Sequence, residues 1–411
     1  MKLNLIGAAL AVGLFAGAAQ AEPLKVALIE PLSGALSKSG NAFAEGVRYG
    51  IKKINEGGGF NGGAVQLDEY DNAGQAAQVL EKLREAIGKG DRIIMSGTVS
   101  AFGAMLTDEV KKYNARNPGK EVIYYNIGSG SLDLVSDKCH FHGFKFAANA
   151  WMFFHTAARG MHAAGVLGNK VYLINPNYSY GKDAEKAQRE IVEKLGATVV
   201  GSDFVELGKT QDFSPFVAKM KIAGATSILT AFFESDLSLL LRAKADAGLN
   251  IPLSSQSLDS PGTVASAGPA AIGSFLPKNW ARTAGGPAGV AFDQDFTKSM
   301  GHPPIYEMPT AAFPTLFLGE ALKRADFKGG AIDVNKLVLA IEDTSWNSPT
   351  GPWSMRKQDH QDVQPFTLSV ISKDAEYKVD GTDMGFKVVQ VLPADQVMLP
   401  PSPDCKMNRP S

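Results

Sequence analysis

Hydrophobic and polar positions along the chain switch repeatedly between two periods. Residues 25–29 form a short apolar run that breaks at Pro31-Leu32-Ser33-Gly34. From about 41 to 56, apolar side chains recur every third or fourth position, the spacing of one helix face. Gly57, Gly58, Gly59, Gly62 and Gly63 stop that helix, and 65–70 alternates with the period of a half-buried strand. The scheme repeats, with strands predicted at 92–95, 121–126, 169–174, 198–204, 227–232 and 251–254. Helices are predicted between them at 76–87, 101–113, 152–164, 182–195, 213–223 and 237–247. After Gly285-Gly286 the pattern is helical at 288–300, 310–324 and 334–341, and 364–371 with 375–378 reads as a closing hairpin. Strand-then-helix units of this length predict an α/β fold of parallel sheets with helices on both faces.

The polar breaks fall at the carboxyl ends of the predicted strands, where ligands bind in open parallel sheets. They are rich in Ser, Gly, Thr, Asn and Tyr: Ser33-Gly34, Ser96-Gly97-Thr98, Gly128-Ser129-Gly130 and Tyr178-Ser179-Tyr180-Gly181. The ordered series Ser33-Gly34, Gly40, Gly46, Ile54-Asn55, Gly57-Gly58, Gly63, Leu67 and Asp71 resembles the opening of the type I periplasmic solute-binding proteins of ABC importers. The best-known members of that family bind leucine, isoleucine and valine. The resemblance runs over nearly the whole chain and implies two doubly wound parallel-sheet lobes joined by a three-strand hinge. Carried over, lobe one is 22–147 plus 281–355, lobe two is 148–280 plus 356–390, and 391–411 is a C-terminal tail.

Composition adds an export route and removes several function classes. The first 21 residues have a basic start at Lys2, a short apolar stretch and Ala19-Gln20-Ala21, which reads as a signal peptide cleaved after Ala21. No cysteine follows that site, so a lipid anchor is not expected, and no later stretch is long and apolar enough to span a bilayer. Without Lys2 the chain carries 40 basic and 42 acidic side chains, a formal charge of −2, and lacks a long basic run, which argues against nucleic acid as a partner. Cys139 and Cys405 are the only cysteines, and an even pair in an exported chain predicts a disulfide. Cys139-His140-Phe141-His142 lacks the second cluster that a metal site needs, so no metal or cofactor is expected. G-x-S-x-G, H-E-x-x-H and P-loop motifs are absent, which leaves an exported enzyme as a weaker alternative to a binding protein.

The resemblance also implies a site. Ser33 and Gly34 follow the first strand, with Lys38 and Ser39 beyond; Ser39 stands where leucine-binding members carry an aromatic residue. Ser100 and Ala101 match the family's serine-containing turn, which opens a helix whose N–H groups suit a carboxylate. Gly128, Ser129 and Gly130 match the next loop of that carboxylate site. From lobe two, Tyr180 matches a tyrosine that caps the pocket, and Phe233 falls where a second tyrosine is found. Ser257 aligns with the glutamate that holds the ligand's ammonium group in amino-acid-binding members; Asp259 takes that place if the loop is shifted by two residues. An ammonium enclosed without a partner costs several kcal/mol, so Ser257 points toward a carboxylate-bearing solute without an amine, such as an aromatic acid. The expected protein is a monomeric periplasmic receptor that closes around a small organic solute and delivers it to an importer's permease, with ligand sensing for a membrane receptor as the alternative.

Overall fold

The computed structural model describes residues 23–327 and 330–409, so the leader read at residues 1–21 lies outside the described residues. The chain opens with β1 (Leu24–Glu30), α1 (Ser37–Glu56), β2 (Val65–Asp71), α2 (Ala76–Lys89), β3 (Ile93–Ser96), α3 (Ser100–Arg116), β4 (Ile123–Asn126) and β5 (Gly143–Lys145). These strands form one five-stranded parallel sheet in the order β2-β1-β3-β4-β5. A second series follows: α4 (Ala150–Ala163), β6 (Lys170–Pro176), α5 (Ser179–Lys194), β7 (Thr198–Val205), α6 (Ser214–Ile222), β8 (Ser227–Thr230), α7 (Glu234–Asp246), β9 (Leu253–Ser254), α8 (Thr263–Ala267) and β10 (Phe275–Lys278). The chain then returns to the first sheet's layer with α9 (Pro287–Met300), α10 (Glu307–Ala325), α11 (Val334–Asp343) and a small antiparallel sheet of β11 (Ser345–Ser348), β12 (Gly351–Met355) and β13 (Asp362–Val363). It ends in β14 (Phe366–Ser372), β15 (Gly385–Leu392) and α12 (Ala394–Val397). The large sheet reads β15-β14-β10-β9-β8-β6-β7, with β14 and β15 antiparallel to their neighbours.

Both lobes therefore share one winding, in which the second strand lies outside the first and the third lies inside it. Helices cover both faces, which is why central strands such as Ile93, Ile94 and Met95 are buried on both sides. The glycines that punctuate α1 let α10 approach closely. A Cβ at Gly46 would lie 2.2 Å from the Met308 carbonyl oxygen, and one at Gly50 would lie 2.5 Å from the Thr315 Cβ.

Three details differ from the sequence expectation. Helix α1 begins at Ser37, four residues before the periodic stretch, because its first turn is polar and is positioned by Gly40 packing on the Pro31 carbonyl. The antiparallel partner of β14 is β15, not 375–378; β15 is an edge strand whose exposed Val389 and Val391 blur the alternation. Residues 345–355, where the periodic pattern predicts no element, form the β11–β12 hairpin, with Trp346 paired to Trp353.

The chain passes between the lobes at 146–149, 279–286 and 364–365. A buried polar network ties these crossings together. Gln361 Nε2 donates to the Lys145 carbonyl at 3.1 Å, Gln364 Nε2 to the Phe146 carbonyl at 3.3 Å, and Asn279 Nδ2 to Gln364 Oε1 at 3.0 Å. Asp362 accepts from both Gln361 and Gln364, and the Lys145 ammonium donates to the Ala147 carbonyl. Burial lowers the Lys145 pKa and raises that of Asp362, and each charge partly offsets the cost of the other.

The tail adds a fourth connection. From α12, whose Val397 packs with Met161 of α4, it runs back over the hinge to the first lobe. Arg356 Nη1 donates to the Leu399 carbonyl at 2.6 Å, Ser136 and Ser402 hydroxyls lie 3.1 Å apart, and Arg409 forks onto Glu342 at 2.9 and 2.6 Å. Cys139 and Cys405 form the disulfide expected from sequence, closing a loop across 266 positions. Replacing both cysteines by serine is expected to cost about 3–5 kcal/mol of stability through the freed chain entropy. A urea-unfolding midpoint unchanged from the parent protein would contradict that role.

Candidate functional site

In a sheet wound this way, the crevice lies outside the carboxyl ends of the strands at the point where the winding reverses. Here that is between β1 and β3 in the first lobe and between β6 and β8 in the second. The residues just beyond those strands define the candidate site.

On the first lobe, the last residue of each of β1, β2 and β4 holds the loop beyond a strand. Glu30 is 1% exposed; its carboxylate accepts the Gly97 and Thr98 N–H groups and the Thr98 hydroxyl. Burial pushes this carboxyl up to about 7, against the opposing effect of those bonds. Asp71 Oδ1 accepts the N–H groups of Leu32 at 2.9 Å, Ser33 at 3.2 Å and Ala73 at 2.8 Å. Partial burial raises its pKa, but these bonds and the Ser33 hydroxyl outweigh that and hold it below the usual carboxylate range. Asn126 Oδ1 accepts from Gly128 at 3.0 Å and Ser129 at 2.8 Å.

The helices that start at this edge, α1, α2 and α3, have no side-chain caps and no acidic residue in their first turns. In α3 the cap position falls on Val99. Among the described residues, the N–H groups of Ser100, Ala101 and Phe102 have no protein acceptor, and Ser100 and Ala101 are exposed. Three orphan donors at the positive end of a helix suit an anion.

The other first-lobe candidates divide. Ser33 is exposed in the loop after β1, and Ser39 is half-buried on the first turn of α1. Gly128 is needed for packing, since a Cβ there would lie 2.4 Å from the Phe43 ring. The Ser129 hydroxyl is buried without a hydrogen-bond partner and lies against Gly103 of α3, where a built Cβ would come within 3.0 Å. Gly130 is half-buried beside the Ala148 carbonyl.

On the second lobe, Tyr180 lies in the first turn of α5 and packs against the cluster that contains Trp151 and Phe154. Its ring stacks on Tyr178 with centroids 6.3 Å apart, and burial raises its phenol pKa. Phe233 is half-buried at the N-cap of α7, whereas Phe232 is fully buried against Phe213. Ser257 is half-buried and its N–H donates to the Ser255 hydroxyl at 3.2 Å. Asp236 is committed to the Gly208 N–H at 2.9 Å, and Glu234 is exposed.

The sequence reading missed the group that joins the lobes. Lys278, the last residue of β10, places its ammonium 3.2 Å from Asp259 Oδ1 and 3.3 Å from the centroid of the Tyr306 ring. The Phe153 ring is 5.8 Å away. Tyr306 immediately precedes α10 of the first lobe, so this cation–π contact crosses between lobes. Burial raises the Asp259 carboxyl pKa, with Lys278 opposing. β10 has only four residues and contains Pro277, which hid the strand and with it the lysine at its end.

Two doubly wound α/β lobes, three hinge crossings and a polar crevice at matching switch points define a two-lobed solute-binding protein. The chain belongs to the periplasmic binding protein family, whose model matches residues 23–376. It is 41% identical over 395 residues to the Leu/Ile/Val-binding protein homolog 4 of Brucella melitensis, an alignment covering 96% of this chain and 95% of that one. Its structure matches the closed conformation of a leucine-, isoleucine-, valine-, threonine- and alanine-binding protein from Brucella ovis, with a TM-score of 0.90 and 41% identity, covering 95% of this chain and all of the other. A solute-binding protein from R. palustris in complex with benzoate shares the fold at a TM-score of 0.69 and 18% identity, over 94% of this chain and 100% of that one.

Glu30 yields a pH prediction. Its carboxyl sits at about 7 in the folded state and at 4.5 without the fold's influence. Below the lower value both states are protonated and its full contribution is present; as pH rises toward 7 the unfolded chain releases its proton first, and stability is lost. Glu30→Gln is therefore expected to flatten the fall in stability between these values, by up to about 3 kcal/mol. Parallel slopes for parent and variant in melting experiments across that range would contradict it.

Proposed function

We infer that this protein is a periplasmic receptor that captures a small carboxylate-bearing solute between its lobes and delivers it to an ABC importer. The first turn of α3 carries the reading: donors without acceptors, on the sheet edge that the second lobe closes over through the Lys278–Tyr306 contact. The solute's carboxylate takes the N–H groups of Ser100 and Ala101, with the Gly128–Gly130 loop beside it. Tyr180 and Phe233 supply apolar walls from the second lobe, and Ser33, Ser39 and Ser257 lie at the edges of the pocket. Its own work is reversible binding and hinge motion, without chemistry. The names of the Brucella relatives support an amino-acid-like solute, and the benzoate complex shows that the fold also holds an aromatic acid.

The moving bodies are 22–147 with 281–355 and 148–280 with 356–390; the β12–β13 pairing favours placing the last exchange a few residues later. Export follows cleavage after Ala21, and the mature chain acts as a monomer that docks a permease. No helix among the described residues is long and apolar enough to cross a membrane.

A thermal-shift screen of the mature protein against aliphatic and aromatic carboxylates tests the reading. A specific solute at a hundredfold excess over its dissociation constant stabilises the fold by about 2.7 kcal/mol; a panel that gives no shift would contradict carboxylate capture. With the solute in hand, Tyr180→Ala is expected to weaken binding about tenfold or more, roughly 1.4 kcal/mol, while changing the melting temperature of the protein alone little. Unchanged affinity would remove Tyr180 from the site.

A further inference from the structure

The Lys278 ammonium is held as a bound ammonium ligand would be. It has one carboxylate at hydrogen-bonding distance, one aromatic face at 3.3 Å from the opposite lobe and a second ring at 5.8 Å. Its side chain is 7% exposed. The arrangement is built by the fold: Asp259 follows β9, Lys278 ends the adjacent strand β10, and Tyr306 is fixed at the start of α10. We propose that Lys278 is a built-in ammonium that satisfies Asp259, so that the pocket selects carboxylates lacking an α-amine. This rests on the carboxylate-capture reading above and names the solute class for it.

Three other acids near the crevice are already committed, whereas the Glu307 and Glu234 carboxylates have no hydrogen-bond or ion-pair partner among the described residues. Glu30 holds the Gly97-Thr98 turn, Asp71 holds the loop after β1, and Asp236 holds the Gly208 N–H. Glu307 lies in the first turn of α10, where the helix dipole stabilises its charge. An amine-bearing solute would bring a second cation beside Lys278 and would have to share or displace the partner of a buried charge. Both routes are costly in a medium of low polarity. A solute with only a carboxylate meets no such competitor, and the nearby ammonium adds to the positive potential that α3 presents.

Isothermal titration with two matched pairs tests this directly: 4-methylpentanoate against leucine, and phenylacetate against phenylglycine. Within a pair that binds, the parent protein is expected to favour the amine-free acid by about tenfold or more. Lys278→Met frees Asp259 and is expected to shift that ratio toward the amine-bearing member by about tenfold, the size of one modest polar interaction. Asp259→Asn is expected to leave the parent's preference standing, because it offers an ammonium nothing new. Lys278→Gln reads the same ratio as Lys278→Met if the methionine variant fails to fold. A parent protein that prefers leucine or phenylglycine, or a ratio that Lys278→Met leaves unchanged, overturns the assignment while carboxylate capture stands. Failure of the parent to bind any carboxylate, in these pairs or in the wider screen, overturns both.

Discussion

Burying charge and amide groups where three strands cross between two lobes is the constraint that shapes this molecule. Asn279 and Gln364 from two of the crossings, and Lys145, Gln361 and Asp362 from the segments beside them, are buried together and hydrogen-bond to one another or to the carbonyls of 145–147. Separating the crossings would leave several of these groups unpaired, at a cost of about 1–3 kcal/mol for each buried donor or acceptor. The strands are thereby kept together as one element. The tail follows from the same geometry: starting on α12 and ending at Cys405 and Arg409 on the first lobe, it spans the hinge from outside.

Fixing the hinge fixes which loop edges face each other, and the electrostatics of those edges decide what they can hold. The first lobe uses side chains at its own strand ends to immobilise its loops: Glu30, Asp71 and Asn126 take up loop amides that would otherwise be solvated. The first turn of α3 is among those left without a cap. The second lobe presents a paired charge in place of a free one, with Asp259 and Lys278 side by side and Tyr306 covering them from across the crevice. A rigid donor site on one lobe and a satisfied, aromatic surface on the other suit a solute with one anionic group and an apolar body.

Much of this was readable in the chain, for physical reasons that differ by residue. The βα units declared themselves because parallel strands buried on both faces give unbroken apolar runs such as 93–95, and because glycines close the helices between them. Ser100-Ala101 and Tyr180 were readable as residues next to strand ends. The disulfide followed from having only two cysteines. What escaped were features made by the tertiary fold. The short β10 is interrupted by Pro277, and β15 is an edge strand with valines on its outer face. Ser129 looked like a loop donor, but its hydroxyl turns inward against Gly103. The partner of Asp259 was invisible because it sits on a neighbouring strand, and Tyr306 reaches it only because a different lobe folds over. The loop containing Ser257 raises the question whether an acid there is available to an ammonium, and in the structure its Asp259 is paired with Lys278.

The measurement that bears most directly on the account is a crystal structure of the mature protein with its solute bound. The account predicts a carboxylate on the Ser100 and Ala101 N–H groups, the solute's body between Tyr180 and Tyr306, and Lys278 still paired with Asp259. A solute ammonium seated on Asp259 with Lys278 turned away, or a solute bound outside the crevice, would contradict it.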